Sequence, residues 1–406
     1  MSRHPLCFLL FFGLCAVLAG CSDRLPECED ALGCIVVRPN EAIQIAYYLP
    51  LTGPAADLGE LIVQGIEVGL SQFDNTLLGH PLTAQAFDSR CSTATDTAVM
   101  ERLASDPNFV AIIGPACSEV AEIMMPIVQA SGGLLLSPST ATVSLNSPNQ
   151  SSSSFYRVLP EQRVHAAVAT QFLTQFLNLE TAVVLHDQST LTQQISEAFT
   201  QTFEQAGGIV MAQQTIILEE DVLLVRLNEI VDSEPDALFL ALQATDANLI
   251  LNKLAEINPP QSMVKMGANT LFHPQFPVLT GSAANDVYVT GFVGTGAAYS
   301  SWLVEWETQF DNEAPTLPYP IFATDAVHLI VAAIESVAVV DSQGGVQIGR
   351  QALRDAMINT VRVDGASGTL DCSSQGECGD AGSIGVYQFG DALAASTRWP
   401  PILISR

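Results

Sequence analysis

From residue 41 onward two hydrophobic rhythms alternate along the chain. Short runs are apolar at nearly every position or at every second one: 43–49, 82–87, 110–113 and 133–136, then 181–185, 208–215, 237–242, 264–266 and 287–292. Runs of this kind predict strands, and the fully apolar ones predict strands buried on both faces of a parallel sheet. Between them lie stretches with helical spacing: 60–73, 93–103, 118–129, 162–176, 192–205, 221–230 and 246–257. Thr93 and Asp96 have capping-box spacing at the start of one of these. Two further helices are expected at 323–339 and 349–358, and a last strand at 383–389. Helices alternating with short apolar strands predict parallel sheets covered on both faces. The fold class is therefore α/β. Two such runs, 41–156 and 158–291, predict two lobes, in keeping with 406 residues. Nothing near 156–158 reads as a flexible linker, so strands are expected to join the lobes as a hinge beneath a cleft.

The first twenty residues fall outside this rhythm. A short polar start at Arg3 and His4 precedes an apolar run from Leu6 to Val17 and then Leu18-Ala19-Gly20-Cys21. That is the pattern of an export signal, shorter than the roughly 20 residues of a membrane span. Leu-Ala-Gly-Cys also resembles the lipobox of bacterial lipoproteins, which implies cleavage after residue 20 and a lipid on Cys21. No later run reaches about 18 apolar residues without a polar break, so the rest is expected outside the membrane. Residues 21–40 read as the lipidated cysteine and a short tether.

Cysteine usage agrees with export. Cys7 and Cys15 leave with the signal, and six of the nine cysteines remain for the fold. An even set in an exported chain reads as disulfides. Spacing suggests Cys28–Cys34 and Cys372–Cys378 as local loops and Cys91–Cys117 as a longer clip, with other pairings formally open. No CxxC occurs and the histidines are scattered, so no metal and no cofactor is expected.

Charge narrows the partners. The chain has 15 Lys+Arg against 43 Asp+Glu, a net charge of -28, and its only lysines are Lys253 and Lys265. Nucleic-acid binding needs basic clusters, so it is excluded as an expectation. Like charge also favours a soluble monomer.

In open parallel sheets, ligands sit beyond the C-terminal ends of the strands. Two loops there stand out. Gly114-Pro115-Ala116-Cys117-Ser118 runs from a strand into a helix, and free N–H groups with the Ser118 hydroxyl suit an anion such as a carboxylate. Alternatively Ser118 merely caps its helix. Ser137-Pro138-Ser139-Thr140-Ala141-Thr142 is a hydroxyl-rich loop after a strand. Catalytic signatures are missing: there is no GxSxG, no HExxH, no GxxxxGK[ST] and no GxGxxG after a strand. His186-Asp187 has no nucleophile tied to it. An enzyme is not expected.

These residues together resemble a known family. The marks are Leu51-Thr52-Gly53-Pro54 with Gly59 and Gly65; Asp88 with Cys91; Ile113-Gly114 with Cys117-Ser118; and Leu136-Ser137-Pro138. Later come Asp325-Ala326, Gly365 with Ser367-Gly368, and Gly385-Val386-Tyr387-Gln388-Phe389. Over residues 41–395 the chain resembles the extracytoplasmic substrate-binding proteins of branched-chain amino-acid ABC transporters, with the type 1 periplasmic-binding fold. The resemblance implies two lobes joined by three crossovers, closing over a small ligand. Lobe 1 takes 41–156 plus 292–383, and lobe 2 takes 158–291 plus 384–406. It also places the family disulfide on Cys91 and Cys117.

The resemblance implies that the ligand carboxylate meets Ser118 and groups from Ser139 to Ala141. The family threonine falls on Ala141, flanked by Thr140 and Thr142. The acidic residue of lobe 2 falls near Asn269, the aromatic pocket positions on Leu58 and Leu191, and a lobe 2 tyrosine near Gln243 or Ala244. The carboxylate half of the site is thus partly kept and the ammonium half altered, with Asp246 as a substitute acid. The expected function is a lipid-anchored solute-binding protein that presents an amino acid or related carboxylate to an ABC transporter permease. A sensory module of the same fold and a non-binding envelope lipoprotein are the alternatives.

Overall fold

The computed structural model describes residues 24–92, 97–140, 154–310, 315–359, 362–372, 376–390 and 399–406. The apolar runs pair into two large sheets. The first has the spatial order Thr76–Leu77, His80–Asp88, Ile43–Leu49, Phe109–Ile113, Leu135–Ser137, Phe155–Arg157, parallel except for the two-residue edge strand. The second runs Ile402–Ser405, Ile384–Gln388, Val287–Phe292, Val264–Gly267, Ala237–Ala241, Thr181–His186, Ile209–Thr215. Its last five strands are parallel, and Ile384–Gln388 pairs antiparallel with both of its neighbours.

Burial explains the unbroken apolar strands. Phe109–Ile113 and Ala237–Ala241 are buried at every position. Successive side chains enter opposite layers: Leu238 and Leu240 join one core, Ala237 and Phe239 the other. Helices therefore cover both faces of each sheet, as the alternating pattern predicts. The helices Ala56–Ser71 and Tyr319–Val337 share the core beneath the first sheet. They approach so closely that a Cβ at Gly65 would strike the Pro320 carbonyl; separately, one at Gly59 would strike the carbonyl of Pro50 in the loop before the first helix.

The chain crosses between the two bodies three times. Phe155–Arg157 leads through Leu159 and Pro160 into the helix Gln162–Gln171. Val287–Phe292 leads back toward the first body, and Ile384–Gln388 returns beside it. The last two crossings are joined where the Val293 amide donates to the Ser383 carbonyl (2.7 Å). A side chain at Gly379 would collide with the Val158–Pro160 backbone, so the first crossing lies against the third. This bundle of strands is the hinge, and the fold is the two-lobed type 1 architecture.

Several expectations change in detail. Residues 34–40 are not tether. Cys34–Val37 is a strand paired antiparallel with Val346–Gly349, with Ile35 and Val37 in the core. Asp30 caps the helix Arg350–Asn359 by accepting from the Gln351 and Ala352 amides (2.9 and 3.0 Å). Tyr319–Val337 is apolar and long enough to cross a membrane by length and composition, although Asp325 and His328 break its apolar run. Most of it is buried inside the fold as a core helix. The helix expected at 162–176 ends at Gln171 and continues as one π turn, Phe172–Phe176. Thr93 and Asp96 lie outside the described residues, where the next helix is Thr97–Ser105. The helix Gly296–Phe310, the hairpin Arg362–Gly365 with Gly368–Asp371, and the strand Ile402–Ser405 were not read from the sequence.

Candidate functional site

The loops at the C-terminal rim of the first sheet hold one another in place. Asp88 ends the strand His80–Asp88 and accepts from the Leu51 amide (2.9 Å), the Thr52 hydroxyl (2.5 Å) and the Arg90 amide (3.0 Å). Burial by itself would raise its carboxyl, but these donors prevail and bring it down to about 2. The disulfide Cys91–Cys117 then ties that loop to the start of the helix Ser118–Ala130. The Ser137 hydroxyl donates to the Pro115 carbonyl (2.8 Å) and the Ser139 hydroxyl to the Ala116 carbonyl (3.0 Å). Sequence marks scattered over ninety residues are thus mutual partners in one rim.

Within that rim Cys117, not Ser118, occupies the N-cap, and among the described residues no side chain caps the helix. Ser118 stands half-buried in the first turn. The Thr140 amide donates to the Ser137 hydroxyl oxygen (3.1 Å), whereas the Thr140 hydroxyl is fully buried with no partner. A buried hydroxyl without a partner is expensive and rare. Ala141 and Thr142 lie outside the described residues. Leu58, in the first turn of Ala56–Ser71, is half-buried against the first-lobe core.

The second sheet's rim has a matching organiser that sequence reasoning passed over. Asp187 accepts from the Ser189 amide (2.7 Å), the Thr192 hydroxyl (2.6 Å) and the Gln243 amide (3.3 Å). It joins the starts of the helices Thr190–Gln205 and Ala244–Glu256. His186 bonds through Nδ1 to the Asp187 carbonyl (2.7 Å) and through Nε2 to the Thr215 hydroxyl (3.3 Å). That pair is structural. Gln243 is the exposed N-cap of its helix, and Leu191 is half-buried against the second-lobe core. Asn269 opens a short 3-10 turn, and its Oδ1 is buried without a partner. Asp246 shares no cavity wall with Asn269. It faces Asp187 and Glu219 across a separate cavity, and its carboxyl is raised by burial first and by the Asp187 charge second.

Where the crossings meet, residues of both bodies enclose a cavity of about 60 Å³. Leu159 and Pro160 come from the first crossing, Asn269, Phe272 and His165 from the second lobe, and Tyr319 and Phe322 from the long core helix. Phe272, Phe292, Leu317 and Pro318 also wall a larger cavity of about 300 Å³. His165 lies buried, with Nδ1 3.0 Å from the Thr290 hydroxyl, and burial brings it to about 4, so it is neutral near pH 7. The sequence offered no signal for His165 beyond its place just after the lobe break.

The predicted site residues therefore form two groups. Ser118, Ser139 and Thr140 gather on one rim; Leu191, Gln243 and Asn269 lie along the other. Among the described residues, no hydrogen bond joins the groups. No cluster of three or more His, Cys, Asp or Glu there is arranged to hold a metal.

Known proteins carry the same architecture. The profile of a family described as periplasmic binding protein matches residues 42–378. No curated protein matches the sequence. Among solved structures, a branched-chain amino acid transporter substrate-binding protein from Streptococcus pneumoniae in complex with isoleucine aligns with TM-score 0.69 and 15% identity, covering 90% of this chain and 100% of that one. An ABC transporter substrate-binding protein from Desulfitobacterium hafniense complexed with Leu gives 0.73 and 16%, with 90% and 100% covered. A solute-binding protein from R. palustris in complex with benzoate gives 0.65 and 18%, with 90% and 95% covered. At these identities the structures establish the fold, while the profile spans most of the chain. The chain belongs to the periplasmic binding protein family, in its two-lobed type 1 form.

Proposed function

We propose that this protein is the extracytoplasmic solute-binding component of an ABC importer. It binds a small carboxylate or amino acid in the cleft, closes its lobes over it, and presents the closed form to a permease. It is a carrier rather than an enzyme. Lobe 1 takes 41–156 and 292–383, and lobe 2 takes 158–291 and 384–406. A lipid on Cys21, which lies outside the described residues, anchors it to the membrane. Family membership and three disulfides support a location outside the cytoplasm. The relatives crystallised with isoleucine, Leu and benzoate share a carboxylate as their common ligand group.

The observation that carries this reading is the Thr140 hydroxyl, buried without a partner beside a helix start that no described side chain caps. A carboxylate there would receive the N–H groups at the start of the helix Ser118–Ala130 and the hydroxyls of Ser118 and Thr140, with Ser139, Ala141 and Thr142 completing the loop. Leu58, Leu191, Gln243 and Asn269 would wall the cleft. Mass spectrometry of what co-purifies with residues 22–406, followed by calorimetric titration of that compound, tests the reading. A stoichiometric small acid supports it. An empty protein that takes up neither small acids nor amino acids overturns it.

A further inference from the structure

We propose that the protein stands on its membrane by the base of lobe 1. The small sheet of Cys34–Val37, Val346–Gly349 and Val339–Val340 rests against the lipid surface, and the cleft and lobe 2 point away from it. This rests on the reading that Cys21 carries a lipid and goes beyond it, because a lipid by itself fixes no orientation.

The segment after the anchor is held to the fold almost from its start. The described structure begins at Arg24, three residues after Cys21. The Asp341 carboxylate accepts from the Leu25 amide and from those of Gln343 and Gly345, the last two at 2.8 Å. The Leu25 side chain lies where a Cβ at Gly345 would touch it. The disulfide Cys28–Cys34 closes the next loop, and the Arg350 amide donates to the Gly33 carbonyl (3.0 Å). Leu32 lies against Gly132, just past the helix Ser118–Ala130. Three residues of chain span at most about 11 Å. A lipid on Cys21 therefore brings the bilayer within that reach of Arg24 and of the surface on which Leu25 is docked.

That surface is the end of lobe 1 remote from the cleft. The helix Ser118–Ala130 starts on the rim and ends beside Leu32, and its 13 residues span about 20 Å. The chain leaves the first sheet for lobe 2 at the rim end, where Arg157 is in register with Ser137. Anchor and second lobe thus lie on opposite sides of the first sheet, and the two lobes are not both laid on the anchoring bilayer. The base offers lipid a shallow apolar contact. Val36 and Val339 are both in register with Gln347, so they share the outer face of the small sheet. They are 53% and 46% exposed, and Val340 at the edge is 48% exposed. The segment entering this sheet exposes Arg24 and Arg38 together with Glu27 and Glu29, a balanced set that suits a neutral lipid surface rather than an anionic one.

The test uses the full chain made in a bacterial host that processes lipoproteins, placed on phosphatidylcholine vesicles whose headgroups carry a nitroxide quencher. Mass spectrometry of the N-terminal peptide first reads the lipid on Cys21. With the six cysteines of the fold held in disulfides, Val340→Cys at the base and Val225→Cys on lobe 2 each add one thiol for a fluorophore. The base probe is expected to be quenched severalfold more than the lobe 2 probe. Inserting about twelve Gly-Ser residues after Ser22 should leave the protein on the vesicles and level the two probes. If the labelled variants do not fold, hydrogen exchange of the unlabelled protein decides: peptides covering 34–40 and 339–345 should gain protection on vesicles, and those covering 209–215 should not. Equal quenching, or stronger quenching on lobe 2, with the lipid in place overturns this inference and leaves the anchor standing. An unmodified Cys21 overturns both the stance and the anchor, and leaves solute binding to its own test.

Discussion

At the residue scale, single polar groups do unequal work. Ser118 is half-buried, uncapped and in the first turn of its helix, so its hydroxyl is free for a ligand anion. Ser118→Ala is expected to weaken ligand binding by about 1–3 kcal/mol while leaving the melting temperature unchanged, since no described hydrogen bond of the fold uses that hydroxyl. Unchanged affinity by calorimetry would show that the carboxylate lies elsewhere. Asp325 has the opposite role. Fully buried, it accepts from the Ala366 amide (2.6 Å), the Ser367 amide (2.9 Å) and the Ser367 hydroxyl, pinning the hairpin turn to the core helix. Burial is the dominant influence and raises its carboxyl to about 6 despite these donors. The folded state therefore holds a proton between about 4 and 6 that the unfolded chain has lost. That contribution is fully present below about 4 and fades as pH rises through 6, amounting to about 3 kcal/mol. His328, 3.8 Å away, is held down to about 4 by burial and acts with the opposite sign. Comparison with Asp325→Asn isolates the carboxyl: the wild-type advantage in urea unfolding should shrink from pH 4 to pH 6.5. A constant or growing difference would contradict the assignment.

At the element scale, the rims depend on cross-links between loops rather than on any one loop. Cys91–Cys117 closes a span of 26 residues and joins two loops of the first rim. Cys91→Ser should lower stability by about 2–4 kcal/mol in denaturant unfolding. Peptide mapping without reductant should recover Cys91 joined to Cys117, and a free Cys91 thiol would refute the clip. The strands and their neighbouring helices were legible because buried parallel strands and amphipathic helices leave opposite periodicities. The helix Gly296–Phe310 was not, because it buries only Trp302 and Trp306 and leaves no broad apolar stripe. Cys34–Val37 was too short to stand out, and its meaning depends on a partner strand more than 300 residues away. The rim residues were visible as motifs, but their bonding was not. Asp88, Ser137 and Asp187 become organisers only when several loops meet. The ring-lined cavity was invisible for the same reason, since Phe272, His165 and Tyr319 come from three separate elements.

At the scale of the whole molecule, charge and cleft chemistry pull against each other. The chain carries a net charge of -28, so its long-range field repels anions. A carboxylic acid without an ammonium arrives with a net negative charge, whereas an amino acid arrives as a zwitterion. The field acts over the Debye length, about 30 Å at 0.01 M salt and about 10 Å at 0.1 M. The local attraction of helix N–H groups and hydroxyls is short-ranged and little screened inside a closed cleft. Salt should therefore relieve the repulsion during approach and hardly alter the bound state. The association rate constant of a carboxylic acid ligand without an ammonium, measured by stopped flow, is expected to rise severalfold between about 0.01 and 0.3 M salt, with a nearly constant dissociation rate. A zwitterionic ligand should show little change. An association rate that falls with salt would mean that the ligand meets a locally positive entrance. Arg406, on the wall of the larger cavity, is the first place to look for it.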